Sequence, residues 1–256
     1  MSYQGYTKIV SKYLSLIDHP TVLEIGVDRG QTSLPLVHNL STKHENFKWV
    51  GIDVRRDSCL AEQFSQLDKI KILTGNKMNL SDLDWHVAYL NANSLDIVPS
   101  FAAAGLKFDL IMIDGDHNYD TVSKELSCVN KLAWDSTLVL VDDYKGRWAE
   151  EDMHYVDRQS HSDITLLDRE KKEGKGVGVK AAVDDWLEKE KNWTLINHNL
   201  DCVILHRDCL SVKIFAESDY IRDCSVYVEP QAKSSTSRFR ADIMKEFTSG
   251  DRIGIK

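Results

Sequence analysis

The chain is poor in several things, and each shortage removes a class of protein. Positive charge is not in excess: 32 Lys and Arg stand against 40 Asp and Glu among 256 residues, a formal charge of -8. Phosphate affinity comes from clustered Lys and Arg, so no broad nucleic-acid-binding face is expected. The five cysteines, Cys59, Cys128, Cys202, Cys209 and Cys224, are odd in number and include no Cys-x-x-Cys pair. Neither a zinc site nor a disulfide framework is suggested, and reduced thiols in a cytoplasmic protein are the expectation. No apolar run approaches membrane-spanning length, and the first residues, Met1 to Lys8, hold no apolar core of signal-peptide length. No membrane partner is therefore expected.

What the chain does have is 42% hydrophobic residues arranged in alternating patterns. That is enough for one catalytic domain with an appendage. Residues 6 to 18 read as a short amphipathic helix, with Ile9, Val10, Tyr13, Leu14 and Ile17 on one side, broken before Pro20 and suited to covering a sheet edge. Strands are predicted at 21–26, 48–53, 86–90, 108–113 and 138–141, with helices at 32–40, 95–104 (interrupted by Pro99) and 121–132 between them. Residues 58–85 read as a helix followed by a polar connection, although 69–73 would also suit a short strand. An amphipathic helix at 179–189 and two short runs at 193–196 and 202–206 suit a terminal antiparallel hairpin. Strand and helix in alternation predict parallel βαβ units. The expected fold is thus α/β: a Rossmann-like, doubly wound, mostly parallel seven-stranded sheet with a C-terminal antiparallel hairpin. Its parts would be an N-terminal helix at 1–20, the main domain at 21–208 and an extension at 209–256. The charged stretch 145–175 reads either as a lid over the strand ends or as a solvated loop. The extension reads either as an arm for a homo-oligomer or as a bare tail.

Two apolar β-branched runs end abruptly in carboxylates: 109–117 reads Asp-Leu-Ile-Met-Ile-Asp-Gly-Asp-His and 138–143 reads Leu-Val-Leu-Val-Asp-Asp. In open α/β sheets ligands collect beyond the carboxyl ends of such buried strands. Asp114, Asp142 and Asp143 are therefore expected to converge as a hard-oxygen site for a divalent cation such as Mg²⁺. Near the start, 22–30 reads Val-Leu-Glu-Ile-Gly-Val-Asp-Arg-Gly, placing Gly26 and Gly30 between a strand and a helix. Glycine there lets backbone pass close to a ligand. The spacing is Gly-x-x-x-Gly rather than Gly-x-Gly-x-x-Gly, which favours a ligand without a pyrophosphate. Asp53, ending the second strand, is placed to accept hydrogen bonds from both hydroxyls of a ribose. Glu24, inside an apolar strand, would be costly to bury unless a donor meets it.

The Glu-x-Gly-x-x-x-Gly loop with its downstream acid resembles the first motifs of class I S-adenosylmethionine-dependent methyltransferases, over roughly residues 20 to 206. The resemblance implies that Glu24, Gly26 and Gly30 line the methionine part of the cofactor. It also implies that Thr32 opens the following helix and Asp53 grips the ribose. Asn93 and Ser94 would meet adenine, with Asn in place of the family's usual aspartate. Asp-Gly-Asp-His-Asn-Tyr at 114–119, followed by Val-Asp-Asp-Tyr at 141–144, resembles the metal-dependent O-methyltransferases of the macrocin and sugar-hydroxyl (TylF) type, and more distantly catechol O-methyltransferase. That likeness implies Asp114, Asp142 and Asp143 as ligands of Mg²⁺ or Mn²⁺, with Asp114 also facing the cofactor. His117 would be a general base, since a neutral imidazole accepts a proton at physiological pH, and Asp116 is its rival or its orienting partner. Tyr119, Tyr144, Arg147 and Trp148 would contact the ring of a small hydroxylated substrate. The same motifs occur in proteins of cephalosporin modification, and a non-catalytic cofactor-binding subunit is the other alternative. A nucleic-acid methyltransferase is disfavoured by the acidic balance and by the lack of an Asn/Asp-Pro-Pro-Tyr motif.

Overall fold

Every central strand offers apolar side chains to both of its faces, and the sheet is accordingly covered on both. The computed structural model describes residues 10–55, 58–67, 70–75, 85–144, 178–197 and 203–206. The expected lid at 145–175, with Arg147 and Trp148, and the extension at 209–256 lie outside the described residues. Strands β1 (Thr21–Ile25), β2 (Lys48–Asp53), β3 (Ile72–Gly75), β4 (Val87–Asn91), β5 (Phe108–Ile113), β6 (Ala133–Val141), β7 (Thr194–Asn197) and β8 (Val203–His206) form one sheet. Its order is β3-β4-β2-β1-β5-β6-β8-β7. Strands β1 to β6 run parallel, whereas β8 pairs antiparallel with both β6 and β7.

The sheet therefore has eight strands among the described residues, not seven. The additional one is β3, which the sequence reading gave to a polar connection. It is short, half exposed and at the edge, so the near-continuous apolar signal of a buried parallel strand is missing. Five helices connect the strands: α1 (Ser33–Lys43), α2 (Ser58–Ser65), α3 (Ser94–Ala103), α4 (Tyr119–Leu132) and α5 (Val179–Lys189). Pro99 does not interrupt α3, which runs through it; proline's fixed φ is helical, and what it removes is one backbone donor. No helix of the described residues is long and apolar enough to cross a membrane.

Side-chain alternation at period two sorts each strand into two cores. Leu23, Ile25, Val50, Ile52, Ile111, Ile113, Val139 and Val141 pack on one side with α3, α4 and α5. Val22, Trp49, Leu110, Met112, Leu138 and Leu140 pack on the other with α1 and α2. The helices present matching stripes, such as Leu36, Val37 and Leu40 on α1 and Val122, Leu126 and Val129 on α4, the spacing of a single helical face. The helical turn at residues 10–14 joins the second core through Val10, Tyr13 and Leu14. It lies among residues of central strands rather than over a sheet edge as expected, and the Tyr13 hydroxyl bonds the Ser136 carbonyl.

Candidate active site

The backbone ladder continues one residue past the strands, and this lines the site residues up side by side. Ala92 N–H donates to Asp53 O, Gly26 to Ile52 O, Asp114 to Ile25 O and Asp142 to Ile113 O. The carboxyl ends of β4, β2, β1, β5 and β6 thus carry Asn91, Asp53, Gly26, Asp114 and Asp142 in spatial order. This is the end of an open α/β sheet at which ligands bind.

On the β1 and β2 side, the acids are held by protein donors. Asp53 Oδ2 accepts from the amides of Val27 and Asp28 at 2.9 and 2.7 Å, and Oδ1 accepts from Arg55 N at 2.7 Å. A carboxylate has about four acceptor sites, so Asp53 braces the Gly26 loop and retains capacity for a ligand. Glu24, 2% exposed, accepts from Ser33 Oγ at 2.8 Å and from Trp49 Nε1 at 2.9 Å. These are the donors its burial demanded. Burial pushes its carboxyl up to about 7 against the pull of these two bonds, with Asp53 adding to the rise. Trp49 reaches Glu24 by lying over Gly51, where a Cβ would come within 2.0 Å of the indole.

Gly26, at φ +86°, is required by the packing of the chain on itself. A Cβ there would stand 2.0 Å from Asp114 O and 2.6 Å from Gly115 N, so its bareness lets the Asp114 turn pack against the loop. At Gly30 the nearest obstacle is the Leu60 side chain, 2.3 Å away. Thr32 is the cap residue of α1, with no side-chain cap bond and no acid in the first turn. Asn93 caps α3 by accepting from Leu95 N at 3.0 Å. Ser94 Oγ donates to Glu125 Oε1 at 2.6 Å.

On the β5 and β6 side, acids meet one another and a histidine. His117 Nε2 stands 3.5 Å from Asp114 Oδ1, and its Nδ1 stands 3.4 Å from Asp143 Oδ2. Asp142 is held above the usual carboxylate range by burial and by Asp143, with His117 and a bond to Asp114 acting in the opposite sense. Asp143 adopts φ 53°, a left-handed position that Asp tolerates better than most residues. Asp114, His117, Asp142 and Asp143 are therefore neighbours. Among the described residues, however, no three His, Cys, Asp or Glu side chains converge as a metal-holding set. Asp116 is spent on local structure: Oδ1 accepts from Asn118 Nδ2 and Oδ2 from the Thr121 hydroxyl.

The tyrosines are not arranged as the sequence suggested. Tyr119 donates to Asp185 and Tyr144 to Asp184, each at 2.6 Å, and Lys180 pairs with Asp184 and lies over the Tyr144 ring. Asn118 also bridges to Gly178. Helix α5 thereby fastens both turns that carry the chemical groups. Sequence reasoning missed Glu125, Asp184 and Asp185. Glu125 carried a signal, since it falls on the apolar stripe of α4 between Val122 and Leu126.

Residues 23–144 match the model of a family described as a methyltransferase domain. No curated protein sequence matches the chain. Solved structures similar to it include a SAH-bound methyltransferase of Podospora anserina, at 13% identity and TM-score 0.49, covering 81% of this chain and 80% of that one. Another is an O-methyltransferase of Bacillus cereus in complex with SAH, at 15% identity and TM-score 0.47, covering 80% and 81%. A third is the mycinamycin-pathway methyltransferase MycE with Mg, SAH and mycinamycin VI, at 13% identity and TM-score 0.49, covering 81% of this chain and 50% of that one.

Proposed function

We propose that this protein is an S-adenosylmethionine-dependent, Mg²⁺-dependent O-methyltransferase acting on a hydroxyl of a sugar or other small natural product, with a vicinal diol as the favoured acceptor. The observation that carries the reading is the meeting of Asp114, His117, Asp142 and Asp143 at the ends of β5 and β6, beside the Gly26 loop. S-adenosylmethionine supplies, when bound, a sulfonium methyl that an oxygen nucleophile displaces, forming C–O as C–S breaks. Asp53 retains acceptor capacity for its ribose, and the uncapped start of α1 at Thr32 suits its carboxylate.

Although these side chains do not converge as a metal-holding set, their donor type is the one a hard dication takes. Asp114, Asp142 and Asp143 all offer oxygen, and Asp142 is held high by burial and by Asp143. Asp114, Asp142 and Asp143 would hold the ion, which supplies charge that favours the alkoxide form of a bound hydroxyl. His117 takes the hydroxyl proton, flanked by Asp114 and Asp143, which steady the imidazolium that results. Asp116 is the weaker choice of base because both its oxygens already serve Asn118 and Thr121. Alignment supplies much of the remainder, since well-oriented intramolecular reactions gain roughly 7–11 kcal/mol. The test is mass spectrometry of a metabolite extract incubated with the enzyme, Mg²⁺ and deuteromethyl S-adenosylmethionine. Label in a hydroxylated small molecule, lost with EDTA, is expected; label that persists undiminished in chelator removes the metal from the account.

A further inference from the structure

Burying Glu125 is costly, and neither metal binding nor proton transfer uses it. Its side chain lies 2% exposed on the inner face of α4. Oε1 accepts the Ser94 hydroxyl at 2.6 Å, whereas Oε2 is buried with no hydrogen-bond partner. An acid with half its bonding capacity unmet is destabilising, and such a group in a native fold calls for a reason. What Glu125 fixes is the direction of the Ser94 hydroxyl. A hydroxyl carries one proton and two lone pairs. With its proton directed to Glu125, Ser94 has only acceptor capacity left for a ligand. Burial pushes the Glu125 carboxyl up to about 8, with the Ser94 bond acting in the opposite sense and Asp116 adding to the rise. Ser94 opens α3 just beyond β4, whose last residue, Asn91, pairs with Asp53. The hydroxyl therefore belongs to the same end of the sheet as the ribose-binding candidate.

We infer that Glu125 is a positioning residue that sets purine specificity: by holding the Ser94 proton it makes Ser94 an obligate acceptor, which takes the 6-amino group of adenine and rejects a 6-oxo purine. The inference rests on the S-adenosylmethionine reading of the site. The 6-amino group is the one N–H donor that the adenine base of a nucleoside offers. A 6-oxo group would set acceptor against acceptor and leave both unpaired.

The experiment is calorimetric titration of the full chain with S-adenosylhomocysteine and with S-inosylhomocysteine, its 6-oxo counterpart, for wild type, Glu125→Gln, Glu125→Leu and Ser94→Ala. Wild type is expected to prefer the adenosyl ligand by about tenfold or more. Glu125→Gln keeps that preference, because the amide carbonyl accepts the same proton. Glu125→Leu and Ser94→Ala narrow it several-fold, chiefly by weakening the adenosyl ligand. An equal loss for both ligands in Glu125→Leu would mean a merely structural acid and overturn the inference. If Glu125→Leu fails to fold, Ser94→Ala decides, and an unchanged preference there overturns it as well. A wild-type chain that binds neither ligand instead overturns the cofactor reading beneath it.

Discussion

The two halves of the sheet's carboxyl end treat their acids in opposite ways. Beside β1, β2 and β4, the carboxyls of Glu24, Asp53 and Glu125 each accept from a protein donor: Ser33 and Trp49, the loop amides, and Ser94. Beside β5 and β6, Asp114, Asp142 and Asp143 face one another across a single imidazole. Carboxyls bonded by their own chain are finished structure that presents lone pairs in set directions. Carboxyls crowded around one histidine are suited to something that arrives with charge or with a proton to give.

That contrast is sharpest at Asp142. Asp142→Ala is expected to lower methyl transfer by about a thousandfold, the several kcal/mol that a metal's charge supplies, while S-adenosylhomocysteine affinity stays within a few fold. Turnover and calorimetry on one preparation check it, and a parallel loss of cofactor affinity would erase the division between the halves. His117→Ala should cost roughly a hundredfold or more at neutral pH, as removal of a general base does. The deficit should shrink at high pH, where the acceptor hydroxyl ionises unaided, and a pH-independent deficit would reassign the base.

Gly26→Ala addresses the seam between the halves. With φ +86° and a Cβ 2.0 Å from Asp114 O, it should destabilise the fold by about 3 kcal/mol or more. Gly115→Ala, whose Cβ meets Ile25 Cγ2 at 3.3 Å, should cost clearly less; denaturant midpoints rank the two. The smallest effect belongs to Glu24. Its pKa is raised from 4.5 to about 7, so between those values the folded state holds a proton that the unfolded chain releases. Stability from this group is fully present below pH 4.5 and is lost as pH rises through 7. Glu24→Gln should flatten the decline in Tm between pH 5 and 8. An unaltered slope would show Glu24 to be ionised in the fold.

The fold was largely legible because the central strands are buried on both faces and bounded by turns: 48–53 and 108–113 were placed to the residue, as was the helix at 179–189. β3 was not, since an exposed edge strand of four residues lacks that apolar signature. At the site, carboxylates at strand ends reveal themselves by interrupting an apolar run, which is why Asp114, Asp142 and Asp143 stood out. Local spacing says nothing of which donor an acid meets. The pairing of Ser94 with Glu125, 31 positions apart, and of Tyr119 with Asp185, 66 apart, depends on how α3 and α5 pack against α4. For the same reason the spacing did not show that Gly26 also makes room for the backbone of Asp114.

The bonds to α5 have a corollary. Tyr144 is moored to Asp184 and Tyr119 to Asp185, while Gly178, which caps α5, bridges to Asn118. One helix therefore acts as a common clamp on both reactive turns, and a substitution that displaced it would disturb them together.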